Sequence, residues 1–121
     1  GVTLHYMSEA LDAGPIISQK KYKIEESDTG ETLYHKFTAV GTELFKEFLD
    51  NWLSGKKIVA TPQDEAQATY YPKGMPNNGE IDWNWSGIQI KNFIRAMTFP
   101  PFPPASFTIG DQKIIIIKEP K

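Results

Sequence analysis

The sequence predicts an α/β fold in which the closing part of an α/β domain runs into the first strands of a small β unit. Three observations support this prediction: two β-rich runs open the chain, a long apolar helical face follows, and a proline-rich stop precedes a closing hairpin. The predicted domain bounds are residues 1–57, a crossing linker over residues 58–80, and residues 81–121.

The first two elements are strands joined by a loop. Residues 2–7 form a continuous, mostly apolar run, which is typical of a buried strand. In residues 15–24, a proline and two isoleucines are followed by an alternating pattern, which predicts a second strand. The loop between them carries Asp12 directly before Ala-Gly-Pro, and a connection longer than a tight turn often carries functional residues.

A long amphipathic helix follows. Asp28 and Glu31 have the spacing of a capping box, and Gly55 is a typical C-terminal stop. Between them, apolar residues recur at steps of three or four, which predicts a helix of about six turns. This apolar face comprises Leu33, Phe37, Val40, Leu44, Phe48 and Trp52.

The second half of the chain is predicted to hold a crossing segment, a short helix and a hairpin. Residues 56–80 contain three prolines and an Asn-Asn-Gly run, so we expect little regular structure there. Ser86 and Gln89 form a second capping box, and the run "FPPFPP" stops the helix that it starts. Two β-rich runs then flank Gly110-Asp111, a favoured two-residue hairpin turn.

Composition and charge exclude several classes of protein. The 121 residues carry 13 basic and 15 acidic side chains and no cysteine. This balance disfavours a stand-alone nucleic-acid binder, and a disulfide framework or thiolate metal site is excluded. No apolar stretch is long enough to span a bilayer and no secretory pattern opens the chain, so we expect a cytoplasmic protein. Because Gly1 stands directly before a strand-like run, we also expect a piece of a longer protein.

The candidate functional residues each have two interpretations. Asp12 is either a turn-former or an acid whose pKa is raised by partial desolvation between the strands. His5 is either a hydrogen-bonded core histidine or part of a pocket wall, and neither histidine has metal-ligand spacing, so no metal site is predicted. Trp83 either anchors the crossing segment or stacks on a ring. Arg95 is either a salt-bridge residue or an anion clamp before the proline turn.

Two motifs resemble a known family. The stretch "GVTLHYMSEALDAGPIISQ" resembles the C-terminal stretch of the formyltransferase catalytic domain, where a "GVT(I/L)H-x-M-x-x-x-x-D-x-G-x-I" pattern recurs. The later stretch "GEIDWNW…IRAMTFPPFPPASFTIGDQKI" resembles the continuation found in methionyl-tRNA and amino-sugar formyltransferases. The resemblance implies a Rossmann-like formyltransferase domain that runs into a small OB-like C-terminal unit.

The resemblance also implies a reaction and a site. Formyltransferases of this kind move a formyl group from 10-formyltetrahydrofolate to an acceptor amine with an Asn, a His and an Asp. The family's Asp corresponds to Asp12, while its Asn and His lie upstream of this stretch, so residues 1–121 alone are expected to be inactive. The pteridine end of the folate pocket would be formed by His5 and by Glu9, Leu11 and Gly14 of the loop. Substrate contacts are expected from Trp83 and Arg95.

The acceptor is expected to be an amino-sugar nucleotide. The alternative is initiator methionyl-tRNA, which needs a basic surface that a net charge of −2 does not supply. The glycinamide ribonucleotide branch is disfavoured because it lacks the "IDW…IRA" continuation. A different class, a non-catalytic folate- or nucleotide-binding module, stays open, and so does a homodimer.

Overall fold

The computed structural model describes residues 1–117, in which two antiparallel strand pairs and two α-helices are connected by turns and loops. The α/β class is therefore confirmed. Two short 3-10 turns, Glu65–Gln67 and Pro76–Gly79, interrupt the long connection. In chain order, the elements are β1 (Val2–His5), β2 (Ile16–Lys20), α1 (Gly30–Leu53), α2 (Gly87–Ala96), β3 (Ser106–Ile109) and β4 (Gln112–Ile115).

Tertiary contacts divide the chain into two units. The first unit comprises Gly1–Lys23 and His35–Tyr71, and it contains β1, β2 and most of α1. The second comprises Ile24–Tyr34 and the described residues from Pro72 onward. The domain bounds at residues 57 and 80 stay a prediction. Within residues 1–117, no helix combines the length and the apolar character that a membrane crossing requires.

Strands β1 and β2 form an antiparallel pair that is shorter than the sequence predicted. Val2 lies opposite Lys20, so residues 21–24 extend past the end of the partner strand and do not join it. The register shifts between Leu4 and His5, and β1 ends there instead of at residue 7. Thr3 of β1 is exposed and the other three residues are only partly buried, so the prediction of a buried first strand is wrong.

Helix α1 is confirmed, and its C-terminus has the predicted glycine stop. Gly55 has a φ of +74° and its N–H donates to the Trp52 carbonyl oxygen at 3.0 Å, while the Lys56 N–H donates to Asn51 at 3.0 Å. This pair of bonds is a Schellman motif, which satisfies carbonyls that have no partner inside the helix.

The capping box of α1 lies one residue later than predicted. The Thr29 N–H donates to Thr32 Oγ1 at 2.9 Å, and the Thr32 N–H donates to Thr29 Oγ1 at 3.3 Å. The side chain of Asp28 is instead buried, where it accepts hydrogen bonds from the Glu25 N–H at 2.7 Å and the Thr32 hydroxyl at 3.0 Å. Asp28 therefore organises the loop before the helix and leaves the cap to Thr29.

Within the first unit, α1 contributes a buried leucine and an ion cluster with β2. Leu44 is buried, with 3% of its surface exposed. Lys20 of β2 makes ion pairs with Glu47 and, at 3.8 Å, with Glu43. The hydrogen bond with Glu47 is the main cause that raises the pKa of Lys20 above its ordinary value.

The connection between the helices has little regular structure, as predicted. It makes an antiparallel bridge with β2, in which the Ile16 N–H donates to the Thr61 carbonyl oxygen at 2.7 Å and the Thr61 N–H returns a bond at 2.8 Å. This bridge brings residues 62–70 beside the loop between β1 and β2, where they line one cleft.

In the second unit, the short helix and the hairpin share a small core. Ile81, Ile94 and Ala105 are buried together. The Ser86–Gln89 capping box of α2 is confirmed: the Ser86 N–H donates to Gln89 Oε1 at 2.9 Å. The predicted closing hairpin is also confirmed, because β3 and β4 pair across a turn at Gly110-Asp111.

Candidate active site

The loop between β1 and β2 presents Asp12 at its tip in an unusual backbone conformation. The loop is closed at its base by a bond from the Tyr6 N–H to the Pro15 carbonyl oxygen at 3.0 Å. Asp12 has a φ of +56°, in the left-handed region that most residues avoid. Short polar side chains tolerate this region better than other non-glycine residues do, which explains why an aspartate is accommodated here.

Gly14 is required by the close approach of two backbone segments. A Cβ atom at this position would lie 1.6 Å from the Tyr6 carbonyl oxygen and 3.2 Å from His5 Nδ1. The first of these distances is shorter than any non-bonded contact, so a side chain cannot be placed here without moving the loop. The family motif residue Gly14 therefore has a packing reason that is independent of any folate contact.

Gln63 joins the loop to the connection between the helices. Its Nε2 atom donates to the Asp12 carbonyl oxygen at 2.6 Å and to the Gly14 carbonyl oxygen at 2.7 Å. Both amide hydrogens are therefore used by the loop backbone. Gln63 was not among the predicted site residues, and its only local signal is its place directly after Thr61-Pro62 in the crossing segment.

His5 lies beside Asp12 and its hydrogen bonding defines its tautomer. His5 Nδ1 is 2.8 Å from the Tyr6 carbonyl oxygen, which can only accept, so Nδ1 carries a proton. His5 Nε2 is 3.9 Å from Asp12 Oδ1, a distance too long for a hydrogen bond but short enough for an ion pair when the ring is protonated. The arrangement therefore fits both interpretations of His5, a hydrogen-bonded histidine and a wall of the site.

The carboxylate of Asp12 is not desolvated in this chain. Its side chain is 97% exposed, against 27% for His5. The expectation that the flanking strands shield this acid is therefore wrong for residues 1–117, because the loop carries Asp12 beyond the ends of both strands. The carboxylate is free to contact a group that approaches from the cleft.

An open cleft of about 630 Å³ lies beside the loop. Leu11, Asp12 and Ala13 line one side and residues 62–70 line the other. Leu11 is 93% exposed and so presents apolar surface to the cleft. Of the other predicted folate contacts, Gly14 is buried at the loop base and Glu9 is exposed.

The wall opposite the loop is stiffened by a capped turn. Asp64 caps the turn Glu65–Gln67 by accepting from the Ala66 N–H at 3.1 Å and from Gln67 Nε2 at 2.7 Å. The bond from Gln67 is the main cause that lowers the pKa of Asp64 below its ordinary value of 3.8, and the Ala66 N–H adds to it.

Arg95, a predicted substrate contact, is engaged by its own unit. Its Nη1 donates to the carbonyl oxygens of Glu25 at 3.1 Å and Asp28 at 3.2 Å and also bonds to the Glu26 carbonyl oxygen. Its Nη2 donates to Asn92 Oδ1 at 2.8 Å. These bonds hold the loop before α1, and a substrate-binding role for Arg95 stays a prediction that they do not support.

Trp83, the other predicted substrate contact, packs at the edge of the hairpin. Its ring makes an edge-to-face contact with Phe107, with 5.2 Å between centroids and an interplanar angle of 82°. The side chain is nonetheless 64% exposed. The contact supports the anchoring interpretation and leaves one side of the ring accessible, so the stacking role stays a prediction.

Two family models match the chain in sequence order. A model described as formyl transferase matches residues 1–49, and one described as the formyl transferase C-terminal domain matches residues 73–120. The first match contains both strands, Asp12 and most of α1. The second contains α2 and the hairpin.

Solved structures give the same assignment. A 4-N formyltransferase from Francisella tularensis is 25% identical, with a TM-score of 0.81 over 98% of this chain and 50% of that one. An N-formyltransferase from Helicobacter canadensis, in complex with folinic acid and dTDP-3-aminofucose, is 27% identical, with a TM-score of 0.78 over 93% of this chain and 41% of that one. A methionyl-tRNA formyltransferase from Clostridium thermocellum is 18% identical, with a TM-score of 0.69 over 92% of this chain and 46% of that one, and shows the fold alone.

The chain spans about half the length of the solved structures that it matches. Over that half, the fold and the order of the two family models agree with the two sequence motifs. Only the linking residues 50–72 and the last residue lie outside the family models. The chain belongs to the formyl transferase family.

Proposed function

We propose that the full-length protein transfers a formyl group from 10-formyltetrahydrofolate to the amine of an amino-sugar nucleotide. The observation that carries this proposal is the solvent-accessible carboxylate of Asp12, held at the tip of a family-specific loop, 3.9 Å from His5 and beside an open cleft. We further propose a Rossmann-like arrangement for the catalytic part and an OB-like C-terminal unit.

Asp12 is the catalytic residue of this chain in the proposed reaction. The acceptor nitrogen attacks the formyl carbon, and the tetrahedral oxyanion then collapses with release of the tetrahydrofolate nitrogen. The amine must lose a proton and the leaving nitrogen must gain one. The Asp12 carboxylate orients and charge-balances the histidine that the family supplies from upstream, and it assists this proton movement.

The cleft fits the formyl donor by size and by chemistry. A volume of about 630 Å³ is within the range of small-molecule sites. Leu11 offers apolar surface for one face of a bicyclic ring, and the loop backbone offers polar groups for its edge. We propose Glu9, Leu11 and Gly14, together with His5, as the residues of this chain that form the pteridine end of the pocket.

An amino-sugar nucleotide is the acceptor that the observations favour. The Helicobacter canadensis structure, at 27% identity, was solved with dTDP-3-aminofucose, whereas the tRNA formyltransferase is similar at 18% only. The net charge of −2 gives this stretch no electrostatic means of attracting an RNA backbone. Trp83 retains an accessible ring face on which a base or sugar can stack.

Replacement of Asp12 by Asn in the full-length protein tests the catalytic role. The variant keeps the shape of the side chain but cannot carry the negative charge. We expect the transfer rate to fall by about 10²- to 10⁴-fold while folinic acid still binds. A variant with an unchanged rate would contradict a catalytic role and favour a non-catalytic binding module.

The acceptor is tested with a panel of amines. Purified full-length protein is incubated with 10-formyltetrahydrofolate and, separately, with amino-sugar nucleotides and with charged initiator tRNA. We expect formylation of an amino-sugar nucleotide, measured by the mass gain of the product. Formylation of the tRNA alone would contradict the proposed acceptor while leaving the formyltransferase activity in place.

A further inference from the structure

We infer that Gln63 is a positioning residue for the proposed transfer, because its side-chain amide holds the loop that carries Asp12. This inference rests on the proposed function of Asp12. The amide nitrogen reaches two carbonyl oxygens on either side of Ala13, at 2.6 and 2.7 Å. Each of its two hydrogens has one acceptor, so its capacity to donate is fully used.

The bonds of Gln63 fall where the loop needs support. Asp12 has a φ of +56°, and a non-glycine residue holds such a conformation only when its surroundings enforce it. The side chain of Asp12 is 97% exposed and does not provide that enforcement itself. The backbone of residues 12–14, which Gln63 holds from the opposite wall of the cleft, therefore sets the point and the direction from which the Asp12 side chain starts.

Gln63 is itself held from both sides along the chain. Two residues earlier, Thr61 is bonded through its backbone to Ile16 of β2 at 2.7 and 2.8 Å. The next residue, Asp64, caps the turn Glu65–Gln67. Because the backbone is held before and after Gln63, its side chain reaches the loop from a defined position.

The base of the loop has restraints that its tip does not have. Gln63 also bonds the Gly14 carbonyl oxygen at the base, but the base has further restraints in the Tyr6–Pro15 bond and the close contact of Gly14 with Tyr6, so we expect it to stay closed without the amide. The tip, with Asp12, loses its restraint. Loss of the amide is therefore expected to lower kcat, which depends on the placement of the carboxylate, more than it raises the KM for the formyl donor.

Two variants of the full-length protein test this inference. Gln63→Met keeps the length of the side chain and removes both donors, and Gln63→Glu puts a carboxylate oxygen against two carbonyl oxygens. We expect Gln63→Met to lower kcat by about tenfold to a hundredfold, with a change in donor KM below about threefold, and Gln63→Glu to lower kcat further. The matched control is Gln112→Met, the same change at an exposed position of the hairpin, where kcat is expected to stay unchanged.

Backbone order parameters from NMR relaxation report the restraint of the loop directly. The order parameters of residues 11–14 are expected to fall in Gln63→Met, from a value typical of rigid backbone, about 0.85, to below about 0.6, and to stay unchanged in Gln112→Met. In the Asp12→Asn background, adding Gln63→Met is expected to lower the residual rate by less than about threefold, because the two residues act as one unit. A lower kcat with unchanged order parameters, or fully additive losses, would overturn the positioning role.

The failure of this inference is distinguishable from the failure of the proposed function. An Asp12→Asn variant with full activity would remove the proposed catalytic role and the inference with it. If Asp12→Asn loses activity while Gln63→Met keeps both its kcat and the order parameters of the loop, only the role of Gln63 is wrong.

Discussion

Asp12 and Arg95 are held in opposite ways. At Asp12, the backbone is restrained through the Gln63 amide while the carboxylate stays 97% exposed. At Arg95, the guanidinium is occupied by backbone carbonyls of residues 25–28 and by Asn92. Both residues were predicted from the sequence to meet a substrate, and only one of them keeps its charged group available.

The difference shows how to separate a functional from a structural polar residue. A side chain that acts on a ligand needs a fixed origin and free polar atoms, because protein bonds to those atoms compete with the ligand. A side chain that stabilises the fold has the reverse pattern, with its polar atoms paired to neighbouring groups. Substitutions at Gly14, Arg95 and Asp12 test this difference between a functional and a structural polar residue.

Gly14→Ala disturbs the close backbone contact between Gly14 and Tyr6 and is expected to have the largest effect on stability. The added methyl group would overlap the Tyr6 carbonyl oxygen, so the loop must move and the free energy of unfolding should fall by about 3 kcal/mol. Urea unfolding measures this. The control is Gly87→Ala, where nothing lies within 4 Å and a change below about 0.5 kcal/mol is expected. An equal effect at the two glycines would contradict the close approach.

Arg95→Met tests the residue whose charged group is paired within the protein. Removal of the guanidinium leaves several carbonyl oxygens without their donor, and the free energy of unfolding should fall by about 2 kcal/mol. Lys113→Met, which removes an exposed cation 3.8 Å from Glu80, is the control and should cost less than about 0.5 kcal/mol. If Arg95→Met instead raised the acceptor KM without a loss of stability, Arg95 would belong with Asp12 as a substrate contact.

Asp12→Gly tests whether Asp12 contributes to activity without contributing to the free energy of unfolding. Glycine relieves the left-handed conformation by about 1 kcal/mol, and its greater freedom in the unfolded chain offsets this by a similar amount. Stability in urea should therefore change by less than about 0.5 kcal/mol, while the transfer rate falls as far as in Asp12→Asn. Asn78→Gly makes the same substitution at a φ of +54° in the second unit and should leave the rate unchanged. A large loss of stability in Asp12→Gly would make Asp12 a structural residue.

Titration of Asp64, the residue next to Gln63, tests the capped turn Glu65–Gln67 and is expected to show the smallest effect. Its pKa is lowered in the folded protein, so the cap contributes stability above the ordinary value of 3.8 and loses it as the pH falls through the lower, folded value. The carboxyl carbon shift measured by NMR should therefore have a midpoint below 3.8. Gln67→Ala removes the main cause, and the midpoint should move back toward 3.8. A midpoint that Gln67→Ala does not move would contradict the side-chain bond.

Local signals in the sequence predicted the elements of the fold well. The Ser86–Gln89 box, the Gly55 stop and the Gly110-Asp111 turn each depend on residues a few positions apart, and each was confirmed. The first capping box was misplaced by one residue because Asp28 and Thr29 are adjacent candidates. Burial of the Asp28 carboxylate, which decides between them, depends on tertiary contacts.

The candidate site was predicted in part only. Asp12 was singled out from the loop between two predicted strands, and the motif then assigned Asp12 and Gly14 to the site, but neither signal indicates that Asp12 is left-handed and solvent-exposed. Gln63 was missed because its partners lie 51 and 49 residues earlier in the chain, a separation that periodicity and spacing do not report. The carbonyl partners of Arg95 were missed for the same reason, since Glu25 and Asp28 lie 70 and 67 residues earlier in the chain.

The separation between Gln63 and Asp12 has a consequence for protein engineering. A transplant of the β1–β2 hairpin into another scaffold would carry Asp12 and Gly14 but not Gln63. The graft would keep the sequence motif and lack the hydrogen bonds that hold the loop backbone. Designers who borrow this loop therefore need to supply, from an unrelated part of the host chain, two amide hydrogens at the correct separation.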